Sequence, residues 1–405
     1  MLYIGIDLSD KYFDSCITNS QGVVLSTRRF DMDESGFISL LTHLHKHNSQ
    51  DQECLIGLEN PRSRLVDFLS NRGYSVMQTQ PNAISNYPKS TSPSGAKSDK
   101  GDARVISDYL REHHTQLSSI HIPDETIREL SLLLEDRDRL VQQKVRYINQ
   151  LTSTLKEYFP QALEAFSCLS NKGAIEFLKR IDTFDQLKGL STKEQEDLLR
   201  VCGINQKKSI RKFHKAMKQP GYTVPQSVIK AKSKLKKALV SHLDLVVNQI
   251  QEYEKDIKHI MDSDDARKIF RSLPGADYIL GGKLLVLYAS RDFHDACEAQ
   301  QLFGTAPYTS MSGQKRYVGF RKGANKMGRS TFQQLARCST LNSDWAKSQY
   351  VKKRKQGKNS QHAYRCLANI WVKITFAMWK SKSTYDENFH LASITRHMMN
   401  QPAFT

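Results

Sequence analysis

The chain alternates between short apolar runs and long stretches in which apolar residues recur every three or four positions. Residues 2–7, LYIGID, are apolar, too short for a helix, and end on Asp7, which predicts a buried strand. KYFDSCITN and GVVLSTRRF predict the next two strands, with a turn at Asn19-Ser20-Gln21-Gly22. ESGFISLLTHLHKH has helical spacing, and ECLIGLE is a further strand ending on Glu59. Pro61 suits the first turn of a helix running to about Asn71, and YSVMQTQ is a short strand. The Pro/Ser/Gly-rich NYPKSTSPSGAKSDKG predicts a polar loop, after which Asp102 stands near the start of the helix GDARVISDYLREHH.

Three strands, a helix, then alternating strands and helices is the order of an RNase H-like α/β fold. The pattern changes after it. Ile127, Leu130, Leu134, Val141, Ile148 and Leu155 keep a 3–4 spacing, as do Leu235, Leu239, Val246, Ile250, Tyr253, Ile257 and Ile260. Two long helices are predicted, able to pair as an antiparallel coiled coil within one chain or between subunits. Residues 162–225 between them are a mixed helical insertion. ARKIFRSLPGADYILGGKLLVLYAS predicts a helix, a Pro-Gly hairpin and a second helix. Such a hairpin can aim N–H groups at a phosphate, a use that Asp277 weakens; a plain helical support is the competing reading. The expected organisation is therefore 1–115, an α/β nuclease-type domain; 120–265, a coiled-coil region with its basic insertion; and 266–405, a mainly helical domain with a basic tail.

Charge sharpens the picture. The 405 residues carry 60 Lys and Arg against 42 Asp and Glu, a formal net charge of +18. From 310 to 405 there are 18 Lys and Arg against Asp344, Asp386 and Glu387, and from 205 to 240 there are 11 and no acid. A surplus so local points to a polyanion, DNA or RNA, and the interleaved Tyr, Phe and Trp could stack on bases. Seven scattered cysteines without C-x-x-C speak for a reducing cytoplasm rather than a disulfide framework or zinc site. No apolar run reaches bilayer length, and the acids in MLYIGIDLSDKYFD do not suit a signal peptide. His43, His45 and His47 read as a solvated helix end. No P-loop and no serine elbow is present.

Asp7 and Glu59 end strands that lie side by side in an RNase H-like sheet, and Asp99 and Asp102 lie at the entry of the helix crossing the same edge. Four converging carboxylates would repel one another without a cation. Mg²⁺ or Mn²⁺ suits such hard oxygen donors and serves phosphoryl transfer. The serine-glycine pair in TSMSGQKRYVGFRKGANKMGR, residues 309–329, leaves three readings open: a nucleophile, a phosphate ligand, or part of an ordinary basic loop.

YIGIDLSDKYFD, IGLEN, AKSDKGDAR, FRSLPGADYILGGKLL and LFGTAPYTSMSGQKRYVGFRKGANKMGRSTFQQLA together resemble the DEDD-type serine transposases of bacterial insertion sequences. That group includes bridge-RNA-guided recombinases and the related pilin-gene invertases. The resemblance runs in order over nearly the whole chain. It implies a RuvC-like N-terminal domain, a coiled-coil linker and a C-terminal transposase domain. By motif, Asp7, Glu59, Asp99 and Asp102 take the places of the metal-binding acids and Ser312 that of the nucleophile. It further implies donor and target DNA, a structured guide RNA, and a tetramer built from dimers in which the acids of one subunit act beside the serine of another. A cytoplasmic protein, at the nucleoid when acting, would fit. The sequence departs from the pattern in lacking the Thr-Gly that often follows the glutamate, in a hairpin without its second glycine, and in a long 162–225 segment.

A serine hydroxyl is a poor nucleophile near neutral pH and needs a base, a metal or strong positive charge. The stretch offers Lys315, Arg316, Arg321, Lys322, Lys326 and Arg329 but no base, and Lys352, Lys353, Arg354 and Lys355 follow as a further basic run. Ser310 and Thr309 are rival nucleophiles. Other outcomes remain open at this stage: a RuvC-like nuclease using activated water, an RNA-independent invertase, or a nucleic-acid-binding protein without activity.

Overall fold

A computed structural model describes residues 1–48, 53–60, 63–79, 83–87, 99–117, 119–120, 123–219, 223–313, 315–321 and 323–399, with the side chains of 99, 100, 265, 266 and 394–399 excepted. The chain divides into two compact units, residues 1–124 with 290–292, and the remainder.

The first unit is built on one five-stranded sheet: β1 (Leu2–Leu8), β2 (Tyr12–Asn19), β3 (Val24–Asp31), β4 (Cys54–Leu58) and β5 (Ser75–Gln78). Their order is β3-β2-β1-β4-β5. β1–β3 form an antiparallel meander, whereas β4 runs parallel to β1 and β5 parallel to β4. One face carries Leu2, Ile4, Ile6, Ile56 and Leu58, packed with residues of α1 (Glu34–His47) and α2 (Arg64–Ser70). Both helices start on capping side chains, Asp33 accepting from the Gly36 N–H and Ser63 from that of Val66. The expected helix from Pro61 begins at Arg64; Pro61 itself is outside the described residues.

The other face carries Tyr3, Gly5, Leu55 and Gly57, covered by α4 (Asp99–His113), which follows a short helical turn, α3 (83–87). Glycine is required on this face. A Cβ on Gly5 would stand 2.0 Å from the Ala103 carbonyl oxygen, so only a bare backbone lets α4 lie this close. The Ser107 hydroxyl then donates to the Tyr3 carbonyl at 2.9 Å and meets the Thr18 hydroxyl at 2.7 Å, satisfying polar groups that the close packing buries. The loop expected over 86–101 lies mostly outside the described residues. His43 departs from the solvated helix end expected of it. It is buried, hydrogen-bonded to Ser26 Oγ at 2.9 Å and edge-on to Phe30, and burial lowers its pKa.

The second unit begins with α5 (Glu125–Tyr158) and α11 (Gln226–Asp262). Arg137 pairs with Glu254, and Lys232 with Glu157, so the two helices run antiparallel within one chain. At one end, α6 (Pro160–Ala165), α7 (Lys172–Arg180), α8 (Phe184–Lys188), α9 (Thr192–Val201) and α10 (Lys207–Met217) form a cap with its own core of Phe159, Phe177, Leu178, Leu187 and Phe213. At the other end, Ile127, Leu130, Ile257 and Met261 join a larger core with α12 (Tyr278–Ala289) and later helices. The seam is not uniformly apolar. Leu235, expected inside it, is 45% exposed, and Lys236 is buried in its stead, donating to the Leu178 and Ile181 carbonyls and to Asp182. The helix expected before the Pro-Gly turn is 3₁₀, Asp265–Ser272. Asp277 caps the next helix by accepting from the Leu280 N–H.

The rest comprises α13 (Ala296–Leu302), α14 (Lys326–Asn342), α15 (Asp344–Lys355), α16 (Ser360–Ser381) and α17 (Glu387–Met399) around buried Phe303, Phe332 and Trp371. Between α13 and α14 stands a two-stranded hairpin, β6 (Tyr308–Ser312) and β7 (Lys315–Gly319). The segment around Ser312 is thus strand, turn and strand, not a plain basic loop. Tyr308, Ser310 and Ser312 share one face and Thr309 and Met311 the other, but neither face is consistently apolar and most of the strand is exposed, so the sequence carries no clear period-2 signal here.

Candidate functional site

The acid group follows from strand register. β1 and β4 pair in parallel, with Ile6 opposite Leu58 as their last pair, so Asp7 and Glu59 are the next residue of each strand. Counting back by two, Asp7 shares its face with Gly5 and Tyr3, and Glu59 with Gly57 and Leu55; this is the face that α4 covers. Asp102 precedes Ala103, whose carbonyl lies over Gly5, at the end of α4 nearest those strand ends.

Their proximity has an electrostatic signature. The Glu59 carboxyl is pushed above the usual carboxylate range, first by burial and then by the charges of Asp7 and Asp102. The three acids therefore feel one another. Asp99 opens α4 three residues before Asp102, and its side chain is outside the described residues. Among the described residues, no three His, Cys, Asp or Glu side chains are arranged to hold a metal ion. The donor set nevertheless suits a hard divalent cation: carboxylates only, partly buried, with the Glu59 pKa raised by burial and then by the charges of Asp7 and Asp102.

An acid that sequence reading passed over stands beside this group. Asp14 pairs with Asp7 across β1 and β2. It is buried, and Arg29 grips it through Nε at 3.0 Å and Nη2 at 2.7 Å while lying 3.8 Å over the Tyr12 ring. Asp14 is thus neutralised from the strand side. The signal was available, since Asp14 sits at the same alternation phase as buried Cys16 and Thr18, where an acid must find a partner.

The serine lies in the second unit. Ser312 is the last residue of β6, exposed, and directly opposite Lys315. Among the described residues no acid or histidine hydrogen-bonds its hydroxyl. Gly313 adopts φ +57° with nothing within 4 Å of where its Cβ would be. The glycine serves the left-handed turn. Ser310 shares the Ser312 face; Thr309 is on the opposite face.

The predicted basic residues divide into groups. Lys315, Arg316 and Lys326 are exposed. Arg329 is turned inward, donating to the Arg321 carbonyl at 2.7 Å and flanking the Phe320 ring at 5.6 Å. Arg365, which sequence reading missed, lies over the same ring at 4.2 Å. Arg321, Arg329 and Arg365 each keep a buried Nε without a hydrogen-bond partner. Lys322 is outside the described residues. Lys352, Lys353, Arg354 and Lys355 form the last turn of α15, where they also complement the helix dipole. Met311, Tyr317, Val318 and Phe320 are more than half exposed, placing apolar and aromatic surface among the cations.

Both ends of this architecture match proteins that move DNA. Residues 4–160 match a family model described as "Transposase", of the DEDD type named for IS110, and residues 267–351 match the "Transposase IS116/IS110/IS902 family". The chain belongs to the IS110/IS116/IS902 family of transposases. It is 24% identical over 401 residues to the mini-circle protein assigned as transposase for IS117 in Streptomyces coelicolor, covering 95% of both chains. It is 23% identical to the IS116 insertion-element protein of Streptomyces clavuligerus, over 95% of this chain and 96% of that one. It is 21% identical to the transposase for insertion sequence element IS1111A of Coxiella burnetii, over 94% of this chain and 90% of that one. No helix among the described residues is long and apolar enough to cross a membrane.

Proposed function

We propose that this transposase is a serine recombinase that cuts and rejoins DNA through a phosphoserine link, assisted by a divalent cation at an RNase H-like (RuvC-like) acid site and guided by a structured RNA. The observation that carries the reading is the pairing of two features on one chain. Glu59, at the end of the strand beside Asp7, has its pKa raised by burial and then by the charges of Asp7 and Asp102, and an exposed Ser312 ends a strand amid cations without a base of its own.

Asp7, Glu59 and Asp102, with Asp99, would hold Mg²⁺ or Mn²⁺, which when bound polarises a phosphate oxygen and offsets the carboxylate repulsion. Ser312 Oγ attacks the scissile phosphorus, a P–Oγ bond forms as the P–O bond to one deoxyribose breaks, and the departing sugar oxygen gains a proton. Attack by a sugar hydroxyl of another strand reverses the step and rejoins DNA with no net loss of phosphodiester energy. Lys315, directly opposite Ser312, flanks the attack position and stabilises the growing phosphate charge, while Arg316 pairs with Met311 and adds positive charge on the other face of the hairpin. Tyr317 shares the Ser312 face and offers a ring for an unpaired base. The expected working form is a tetramer built from dimers in which the acids and the serine come from different subunits, with donor DNA, target DNA and guide RNA as partners.

Trapping on end-labelled DNA tests the serine. Ser312→Ala should abolish both the covalent protein–DNA adduct and strand exchange, while Ser310→Ala and Thr309→Ala keep them. If Ser312→Ala still cuts at the normal rate, the enzyme is a metal-dependent nuclease using activated water, a reading that the acid group alone also supports. RNA dependence is tested by digesting copurified RNA and measuring recombination. Undiminished activity would leave an RNA-independent, invertase-like enzyme.

A further inference from the structure

We propose that α10 (Lys207–Met217), on the cap of the coiled coil, forms a second nucleic-acid-binding surface that grips a phosphodiester backbone without reading its sequence. The site lies in the segment between the two family matches and is independent of Ser312.

Phe213 and Ala216 are buried, and Ile210 and Met217 are partly buried against the cap core. Lys207, Lys208, Arg211, Lys212, Lys215 and Lys218 are all exposed. At 3.6 residues per turn these six cations fall within about 140° of arc, opposite the buried side, and span about 16 Å of axis. That is roughly one positive charge per 3 Å, against one negative charge per about 1.7 Å of duplex DNA. Four-residue steps such as Lys207 to Arg211 to Lys215 advance about 6 Å each, the scale on which successive phosphates of a strand are spaced.

Nothing in the fold accounts for this charge. Among the described residues none of the six has an acidic partner, whereas Lys232, Lys236 and Lys237 on the neighbouring α11 pair with Glu157 or Asp182. Like charges three and four apart weaken a helix. Lys207 and Lys208 stand in the first turn, where the helix dipole disfavours cations, and Gln206 makes no capping bond. The helix is therefore charged against its own stability. The cationic arc has no aromatic side chain to stack on a base, which leaves phosphate as its partner and makes binding sequence-independent.

The test uses the full chain in the Ser312→Ala background, so that cleavage does not intervene. Lys207, Arg211, Lys215 and Lys218 are changed together to Gln, and binding to a duplex DNA and to a structured RNA hairpin is measured over a salt series. On duplex DNA the log–log salt slope should become shallower by about 0.9 per lost contact, roughly 3 to 4 in all. A change on DNA alone assigns the surface to DNA, a change on RNA alone assigns it to RNA, and unchanged slopes on both overturn the proposal. Because the substitutions relieve repulsion, the melting temperature should hold or rise. A lowered one would assign the cations to the fold and equally overturn the inference. A variant with the four positions all Arg should keep the wild-type slope.

Discussion

At the scale of residues, Glu59 shows what the acid group does to a single side chain. Its folded pKa is raised by burial and by Asp7 and Asp102, so ionisation is more costly in the folded state than in the unfolded one. Relative to an ordinary glutamate, the protein is favoured below the unfolded pKa, where Glu59 is protonated in both states. It loses that advantage as pH rises through the folded pKa. In metal-free protein, Glu59→Gln should therefore raise Tm at neutral pH, and the gain should vanish at acid pH below the ordinary glutamate range. Thermal melts across pH check this. Adding Mg²⁺ should raise the wild-type Tm more than that of Glu59→Gln, because the ion relieves a repulsion the variant lacks. Equal responses would separate Glu59 from any metal. Arg365 carries a second residue-scale prediction. Its guanidinium lies over Phe320, just after the serine hairpin, at a ring that Arg329 also flanks. Arg365→Ala should lower strand exchange about tenfold or more while leaving the fold melting as a unit, whereas Arg365→Lys, lacking a planar face to stack, should rescue only part of the loss.

At the scale of elements, two glycines and one lysine decide how pieces fit. A Cβ on Gly5 meets backbone of α4 at 2.0 Å, whereas one on Gly57 meets the methyl groups of Ile106 and Leu110 at 3.3 Å. Backbone cannot rotate aside as a side chain can. Gly5→Ala should destabilise the first unit by about 3 kcal/mol and Gly57→Ala by about 1 kcal/mol, read by denaturant melts. Gly5→Ala should also disable DNA cleavage, since α4 carries Asp102. On the coiled coil, Lys236 is fully buried, its ammonium held by two carbonyls and Asp182, and burial lowers its pKa against the pull of that carboxylate. Lys236→Ala leaves those acceptors unpaired, although Asp182 keeps Lys237 at 2.6 Å. A loss of about 2–3 kcal/mol is expected, confined to the cap, so hydrogen exchange should quicken in α7 and leave the sheet unchanged.

At the scale of the whole molecule, the acids and the serine belong to different compact units of the chain. If a complete site takes its acids from one subunit and its serine from another, Asp7→Asn and Ser312→Ala variants, each inactive alone, should recover part of the activity when mixed. The recovery arises because the first supplies a sound serine and the second sound acids. A mixture as dead as its components would place both groups in one subunit. The net charge of +18 predicts strongly salt-dependent binding to any nucleic acid, with the excess lying mainly in the second half of the chain.

What the sequence determined by itself is whatever depends on local periodicity and composition. The strands that bring Asp7 and Glu59 to one sheet edge (though the first runs on to Leu8 and the second stops at Leu58), the two long helices, the absence of disulfide spacing and the place of the charge were legible because each is written into neighbouring residues. The order of the first elements also constrained the sheet, since a three-strand meander followed by a helix and a parallel strand has few alternatives. Only the tertiary structure decided the rest. It gave the seam to Lys236 and not Leu235, because carbonyl ends of the cap, distant in sequence, can satisfy a buried ammonium. It buried His43 and gave it a hydrogen-bond partner in Ser26 of a neighbouring strand. It brought Arg365 to Phe320 across more than forty residues and turned Arg329 inward. It made a hairpin of the serine segment, whose first strand, Tyr308–Ser312, has no regular apolar–polar alternation and whose second begins on Lys315 and Arg316. Periodicity reports which face of an element is apolar; which partner a polar group finds depends on contacts between remote segments, and those exist only once the chain has folded.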